Sequence, residues 1–577
     1  MDTSRKSSRL SPFAAFGLFV LGLESLSVIL AIAGIFYQWI ILAYLIIALF
    51  SLGFVFLKKN KYEASSLWVV SFLIFISVFY AWNASPSIFS GRDQGSFSEA
   101  AIRLAENHRL EFKNPVSEEF FKIYGPGTAL NFPGFSYTKD GSLMTNFSLG
   151  YISWLAGFYA LFGMAGFSIA NALTLFLFLT SFYFLLRQYM RVSPALIGML
   201  FILSSFVFNW LPKITLGENL AMGFLWFAIL EAVLFFKKKE KLPLFISIST
   251  LLILTLTRIE SWAFLSMLLI AFLWQQKSWT KAWKILKDKK FLIAFFAISA
   301  IVVAGIVKNN PFYISSLKGL IHSFEPQKES LGFMEPLLYL WKVLTNYAII
   351  EFVILGFSGV VYFIKKKKYD MLVPAIIVLP SIIYLVHPGI SPDHPWMLRR
   401  FAFSVIPAGI LYSIFLLESF CKKRIRLYIV SILIIFTNIL ITAPYFQFRE
   451  NAELLKQTED LSRNFSANDL VLLDRETDGD GWNMISGPMN FLFQKQAVYF
   501  FNPNDLSRID TSRFEHVYLI SPDSNIDFYE RYPAFRNLSP ISSYSLTTSF
   551  YGNTLGYADL PIIQEKTTAG EIYLLTK

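Results

Sequence analysis

The sequence predicts a polytopic α-helical membrane protein that carries a small α/β domain at its C-terminal end. Three observations carry that prediction. Of the 577 residues, 55% are hydrophobic and only 16% are charged, against roughly 25% charged in soluble domains. Apolar runs recur from Pro12 to Ala443, each near the roughly 17–25 residues that cross a hydrocarbon core of about 30 Å. From Pro444 onward that pattern stops, and short strand-like runs take its place.

Short basic connections stay cytoplasmic, and this rule orients the chain. Arg5, Lys6 and Arg9 precede the first run, 13–35, which lacks a small-residue cleavage site and reads as a retained helix. A second helix, 39–57, returns to Lys58, Lys59 and Lys61, so residues 1–65 form a two-helix addition. A third helix, 66–82, leads into a large outer loop, 83–146. The run 147–162 is short and ends at Gly163-Met164-Ala165-Gly166. If it spanned, Arg187, Arg191 and every later basic connection would invert, so it reads as an interfacial segment closing an outer region, 83–166.

The remaining runs alternate. Helices over 167–186, 194–211, 218–236, 242–257 and 261–274 are joined by short turns, with Lys237, Lys238, Lys239 and Lys241 inside. A basic amphipathic segment, 275–290, precedes a helix at 291–307 and an outer loop at 308–335. Helices at 336–364, 371–386, 399–420 and 427–443 follow, with an outer loop at 387–398. The total is about thirteen helices, and the core region is 66–443. In 444–577, the runs 471–474, 516–521 and 572–575 read as buried strands and 450–465 as an amphipathic helix, giving an extracytoplasmic α/β domain of about 130 residues. The expected location is the inner (plasma) membrane, multi-pass, with the N-terminus cytoplasmic.

The net charge of +11 sits mostly in the cytoplasmic connections. It is a topology signal and does not indicate a nucleic-acid partner. A single cysteine, Cys421, excludes an intrachain disulfide and a thiol cluster, and five histidines argue against a histidine-rich metal site. The residues imply no cofactor and no metal ligands, with a divalent metal left open.

This topology gathers polar residues on one face. Asp93, Lys213, Glu218, Arg258, Glu260, His387, Asp393, His394, Arg399 and Arg400 all flank outer helix ends. Ionisable residues near membrane depth are costly and mark functional sites. Each also has a plain structural role. Asp93 and Glu218 suit helix N-termini, Arg258 and Glu260 can pair across a tight turn, Arg399 and Arg400 can snorkel, Lys213 suits a solvated loop, and the histidines lie beside prolines. Independent caps need not gather on one face, which favours a shared site.

Arg92-Asp93-x-Gly95-x-Phe97, followed by Ala101, Leu104 and Ala105, resembles the first outer loop of the C-type glycosyltransferase superfamily. The likeness is to a bacterial branch that reads Arg-Asp-x-Gly-x-Tyr, then Leu-Ala, then Gly-x-Leu. Phe97 stands in place of Tyr, and His108 in place of Gly. The segment 146–163 with Asn171, the helix start Gly217-Glu218-Asn219-Leu220, the turn Thr257-Arg258-Ile259-Glu260 and the run His394-Pro395-Trp396-x-Leu398-Arg399-Arg400-Phe401 resemble later motifs of that superfamily, in order. The resemblance covers about 66–443.

It implies a membrane transferase that moves a sugar from a polyprenyl-phosphate donor to an acceptor hydroxyl on the periplasmic face, with inversion. Relatives include protein mannosyltransferases and lipid A aminoarabinose transferases. By analogy Asp93 is the general base. Arg399 and Arg400 bind the donor phosphate, with Lys213 and Arg258 as weaker candidates. Glu218, Glu260, Arg92 and His394 bind or orient substrate. The implied partners are the lipid-linked donor, a glycan, lipid or protein acceptor, and membrane lipids. The alternatives are a polysaccharide polymerase or ligase and a transporter of lipid-linked saccharides. A transporter should place its polar residues at midplane in repeated halves, which this sequence does not show.

Overall fold

The computed structural model describes residues 11–57, 64–85, 87–276, 287–322, 334–386, 393–421, 423–536, 538–552 and 559–575. His387, Arg5, Lys6, Arg9, Lys58, Lys59, Lys61, Lys422 and most of the basic segment 275–290 lie outside them. Among the described residues, six helices are long and apolar enough to cross a membrane, or nine if each of three bent pairs is one span. The protein is a multi-pass membrane protein.

Several expected spans are rearranged. The expected helix 336–364 is two helices, Met334–Asn346 and Ile350–Lys365, bent by 104°. The first ends in a Schellman motif, with Ile349 N–H donating to Leu344 O at 2.8 Å and Ala348 N–H to Thr345 O at 3.0 Å. Ala348 sits at φ 49°. The expected helix 194–211 bends by 70° at Ser205, and 399–420 begins earlier as Trp396–Ala402 and bends by 56°. The run 371–386 is broken into short α and 3-10 turns around Pro374 and Pro380, since proline removes a backbone donor and crowds the preceding turn.

The bundle centres on the helix Gly217–Lys238, which is buried along nearly its whole length. It packs against Ala165–Arg187 and Lys241–Leu254. Gly223 permits the first of these approaches, because a Cβ there would stand 2.9 Å from the Thr174 carbonyl. A second close crossing joins Ile350–Lys365 to Val405–Phe420 through Gly356 and Gly409, a use of small residues common between membrane helices. The helix Leu149–Phe162 has 14 residues, about 21 Å long, and packs on Pro12–Ala33, Ala165–Arg187 and the helix Asp93–Asn107.

The loop after the third helix is ordered. It contains the helices Asp93–Asn107 and Pro115–Tyr124 and an antiparallel sheet of Gly127–Thr128, Phe135–Tyr137 and Leu143–Thr145. The C-terminal part forms a five-stranded mixed sheet. Its order is Gln496–Phe500, Leu470–Asp474, Val517–Pro522, Ile563–Leu575 and Ser539–Tyr551, with the first three strands parallel and the last two a long hairpin. Leu470–Asp474 is buried throughout, as a parallel strand covered on both faces should be.

The sheet region is docked on the loop. Arg103 donates to Asn490 Oδ1 at 2.5 Å, Asn131 to Tyr499 O at 2.7 Å, and Arg513 to Glu119 at 2.6 Å. Ser90 pairs with Met484 as an isolated antiparallel bridge.

Candidate active site

The site begins where the chain enters the helix Asp93–Asn107. Gly95 makes that entry possible, because a Cβ there would lie 1.5 Å from the Phe89 carbonyl oxygen. Gly91, at φ 97°, lets the strand pass the Gly481 carbonyl, which a Cβ would meet at 2.4 Å. Arg92 and Asp93 are therefore fixed between two backbone crossings that tolerate only glycine. Phe97, one turn on, packs on Phe147 and Tyr151 at 4.9 and 5.2 Å between ring centres. His108 caps the helix at φ 61° with its ring against Tyr37, a left-handed position that suits Gly.

Asp93 is the first residue of its helix, yet its carboxylate is spent on another element, accepting from Arg399 Nη1. Arg399 Nε faces Glu218 at 3.8 Å. Glu218 accepts from Arg258 at 2.9 Å, and Arg258 donates to Glu260 at 2.6 Å. The Tyr384 hydroxyl also donates to Glu260. The result is a line of alternating charge, Asp93, Arg399, Glu218, Arg258, Glu260, assembled from four stretches of chain. Burial opposes the Arg258 charge, but Glu260 and Glu218 outweigh it and raise its pKa further. Burial likewise opposes the Glu260 charge, and Arg258 with the Tyr384 hydroxyl outweighs it, so its pKa lies below the usual range. Glu218 is 2% exposed, while the Asp93 side chain keeps 39% of its surface open. Asp93 is thus the member of the line best placed to touch a substrate.

Asp93, Arg399 and Arg400 line a cavity of about 300 Å³ with Gly91, Met397 and Gly481. A second cavity, of about 230 Å³, lies against the C-terminal sheet. Arg92, Asp393, Trp396 and Trp482 line both and form the partition between them. Arg92 bonds Asp393 at 2.7 Å and stacks between the two tryptophans, 4.4 Å from the ring centre of Trp396 and 3.2 Å from that of Trp482. Burial, partly offset by Asp393, brings Arg92 down to about 10.

Seven of the nine site residues expected from the sequence meet here: Asp93, Arg92, Glu218, Arg258, Glu260, Arg399 and Arg400. Lys213 does not. It is buried and donates to the backbone carbonyls of Tyr445, Phe446 and Phe448, and it lines neither cavity. Lys213 holds the chain leaving the last long helix; it is not a solvated loop lysine. His394 lines the second cavity but is fully buried, with Nδ1 bonded to the Tyr347 hydroxyl at 2.9 Å. Trp482, Glu450 and Tyr384 were not singled out from the sequence. The Asp478-Gly-Asp-Gly-Trp482 run is the signal for the first, a glycine-rich turn presenting a large aromatic. Asp469, Glu515 and His516 bring one ligand atom each within 4.8 Å of one another, but they line neither cavity.

No family model matches the chain, and no curated protein matches its sequence. Solved structures do match its fold. ArnT from Cupriavidus metallidurans in the apo state superposes with a TM-score of 0.53 at 11% identity, over 89% of this chain and 99% of that one. The same protein bound to undecaprenyl phosphate gives 0.52 at 11% identity, with the same coverage. The oligosaccharyltransferase of Archaeoglobus fulgidus, in complex with Zn and sulfate, gives 0.49 at 11% identity over 85% of this chain and 75% of that one.

Proposed function

From the fold of the C-type glycosyltransferases, which this chain has, we propose that it is a membrane glycosyltransferase that moves a sugar from a polyprenyl-phosphate donor to an acceptor hydroxyl, with inversion. The observation that carries this reading is the open Asp93 carboxylate facing Arg399 and Arg400 in one cavity. Its support from outside the chain is that ArnT, on the same fold, has been solved with undecaprenyl phosphate.

Asp93 takes the proton from the acceptor hydroxyl as that oxygen attacks the anomeric carbon. The bond from that carbon to the phosphate oxygen breaks, and the electron pair leaves with the polyprenyl phosphate. A phosphate leaving group needs positive charge more than it needs a proton. The Arg399 and Arg400 guanidinium groups supply it. Arg399 is held by Asp93, so a donor phosphate that engages Arg399 competes with that contact and leaves the carboxylate to act. Glu218 and Arg258 hold Arg399 in position from behind. The active face is the periplasmic side of an inner membrane, the side to which the basic connections assign Asp93.

The test is incubation of the purified chain with a panel of polyprenyl-phosphate sugars, with products read by mass spectrometry. Asp93→Asn is expected to abolish transfer while still binding undecaprenyl phosphate. Retained transfer in that variant removes Asp93 as base.

A further inference from the structure

The second cavity plays no part in the chemistry above, yet it is built and it opens onto the same partition. Its floor is the hairpin of Ser539–Tyr551 and Ile563–Leu575, and its sides are the turn at 476–485 and the Asp393–Trp396 loop.

The charges around it are nearly all committed. Arg92 pairs with Asp393, Lys566 with Glu476 at 3.6 Å and Asp480 with Arg475 at 2.5 Å. Glu450 is the exception. Its Oε1 accepts from the Tyr551 N–H at 3.3 Å, while its Oε2 is sealed from solvent and meets no partner. A buried polar atom without a partner is costly, and here it belongs to a half-buried side chain that lines the cavity, so a turn of the carboxyl would present that oxygen to a ligand. Around it stand the hydroxyls of Thr548 and Thr568 and the amide of Asn483, with the apolar faces of Trp482 and Phe550. This lining has no net positive charge to hold a phosphate or a uronate. It offers hydrogen-bonding groups on some sides and aromatic carbon on others. The ligand chemistry that meets both demands is a neutral ring carrying hydroxyls on its edge and C–H groups on its faces.

We propose that this cavity is the acceptor site and that it takes a neutral saccharide unit. The inference rests on the transferase reading above. Glu450, Thr548, Thr568 and Asn483 receive the sugar hydroxyls, and Trp482 covers one face of the ring. The four residues that line both cavities set the bound unit against the cavity that holds Asp93, and the hydroxyl that reaches past them to Asp93 is the nucleophile. The saccharide can come from a soluble glycan or from the head group of a glycolipid.

Saturation-transfer NMR on the full chain in a sugar-free detergent tests this. The probes are mannotetraose and N-acetylchitotetraose as free glycans, galactosyl diacylglycerol as a neutral glycolipid, and inorganic phosphate as the charged control. Transfer to a neutral sugar is expected, and which probe shows it identifies the source. Thr548→Trp, which fills the cavity, and Glu450→Leu, which removes the uncommitted carboxyl, should each weaken that binding by about tenfold or more. Undecaprenyl phosphate binding, measured on the same preparations, should stay at the parent level and so reports that the variants are folded. Thr568→Trp obstructs the cavity from the neighbouring strand if the first variant fails that check. Unchanged sugar binding in an obstructed, folded variant overturns the acceptor site. So does phosphate binding with no neutral sugar bound. If undecaprenyl phosphate itself does not bind the parent protein, the transferase reading falls, a result distinct from loss of the sugar alone.

Discussion

Gly95 has no role in chemistry, yet it decides where Asp93 stands. A Cβ on it would occupy the space of the Phe89 carbonyl, and backbone cannot yield as a side-chain tip can. Gly95→Ala should therefore displace the helix start. The expected result is loss of transfer together with destabilisation of about 1–3 kcal/mol, read by thermal unfolding in detergent beside the transfer assay. Glu450 gives a second outcome at this scale. Burial raises its pKa from the usual carboxylate range to about 7. The folded state thus holds a proton that the unfolded chain releases above about pH 4.5. Stability from this group is greatest below that value and declines as pH rises toward 7. Glu450→Gln should remove that slope, and paired unfolding midpoints between pH 4.5 and 8 check it. Asp93, Arg399 and Glu218 were legible because their motifs are local in sequence. Glu450 and Trp482 were not, because what makes them site residues is a cavity formed with chain about 350–390 residues earlier.

At the level of the element, the sequence marks some helix ends and hides others. The first helix, Pro12–Ala33, ends at Gly34 with φ 67° and the bond pattern of a Schellman motif, and glycine there is a readable stop. Met334–Asn346 ends in the same motif with alanine in the left-handed position. Nothing in an apolar run with Ala348 signals a 104° bend, so 336–364 read as one span. That position carries steric strain of about 1–2 kcal/mol for a residue with a Cβ. Ala348→Gly relieves it and should raise the unfolding free energy by up to about 1 kcal/mol, seen as a higher midpoint in detergent with no change of helix content. The long hairpin was missed for a different reason. Ser539–Tyr551 is mostly exposed and rich in serine and threonine, so it lacks the alternation that marks a half-buried strand. Only the buried end of its partner, 572–575, stood out.

Across the whole molecule, the membrane part and the sheet act on one loop. The bundle supplies Glu218, Arg258 and Arg399 from below, and the sheet grips the helix Asp93–Asn107 through Arg103, whose guanidinium is buried between Asn490 and Glu99. Composition distinguished the two parts, but it carried no information about this docking, which depends on pairs far apart in sequence. Asn490 Oδ1 accepts from both Arg103 and Asn114. Asn490→Leu strands a buried donor on Arg103 and a half-buried one on Asn114, and should cost about 1–3 kcal/mol. Hydrogen–deuterium exchange should then quicken in peptides from 93–107 as well as in those from the sheet. Faster exchange in the sheet peptides alone would separate the two parts.

The contact between Arg103 and Asn490 joins residues 387 apart, and the bridge from Ser90 to Met484 spans a similar length of chain. A ribosome adding about 5–20 residues per second takes about 20–80 s to make that much chain. The nascent protein has therefore inserted most of its helices before the partner of its first loop exists. The strand edge at Ser90 stays unpaired for that interval, and the completed cleft appears only once the sheet has been made. A newly made copy can begin to work only after the sheet residues that complete the cleft have been translated.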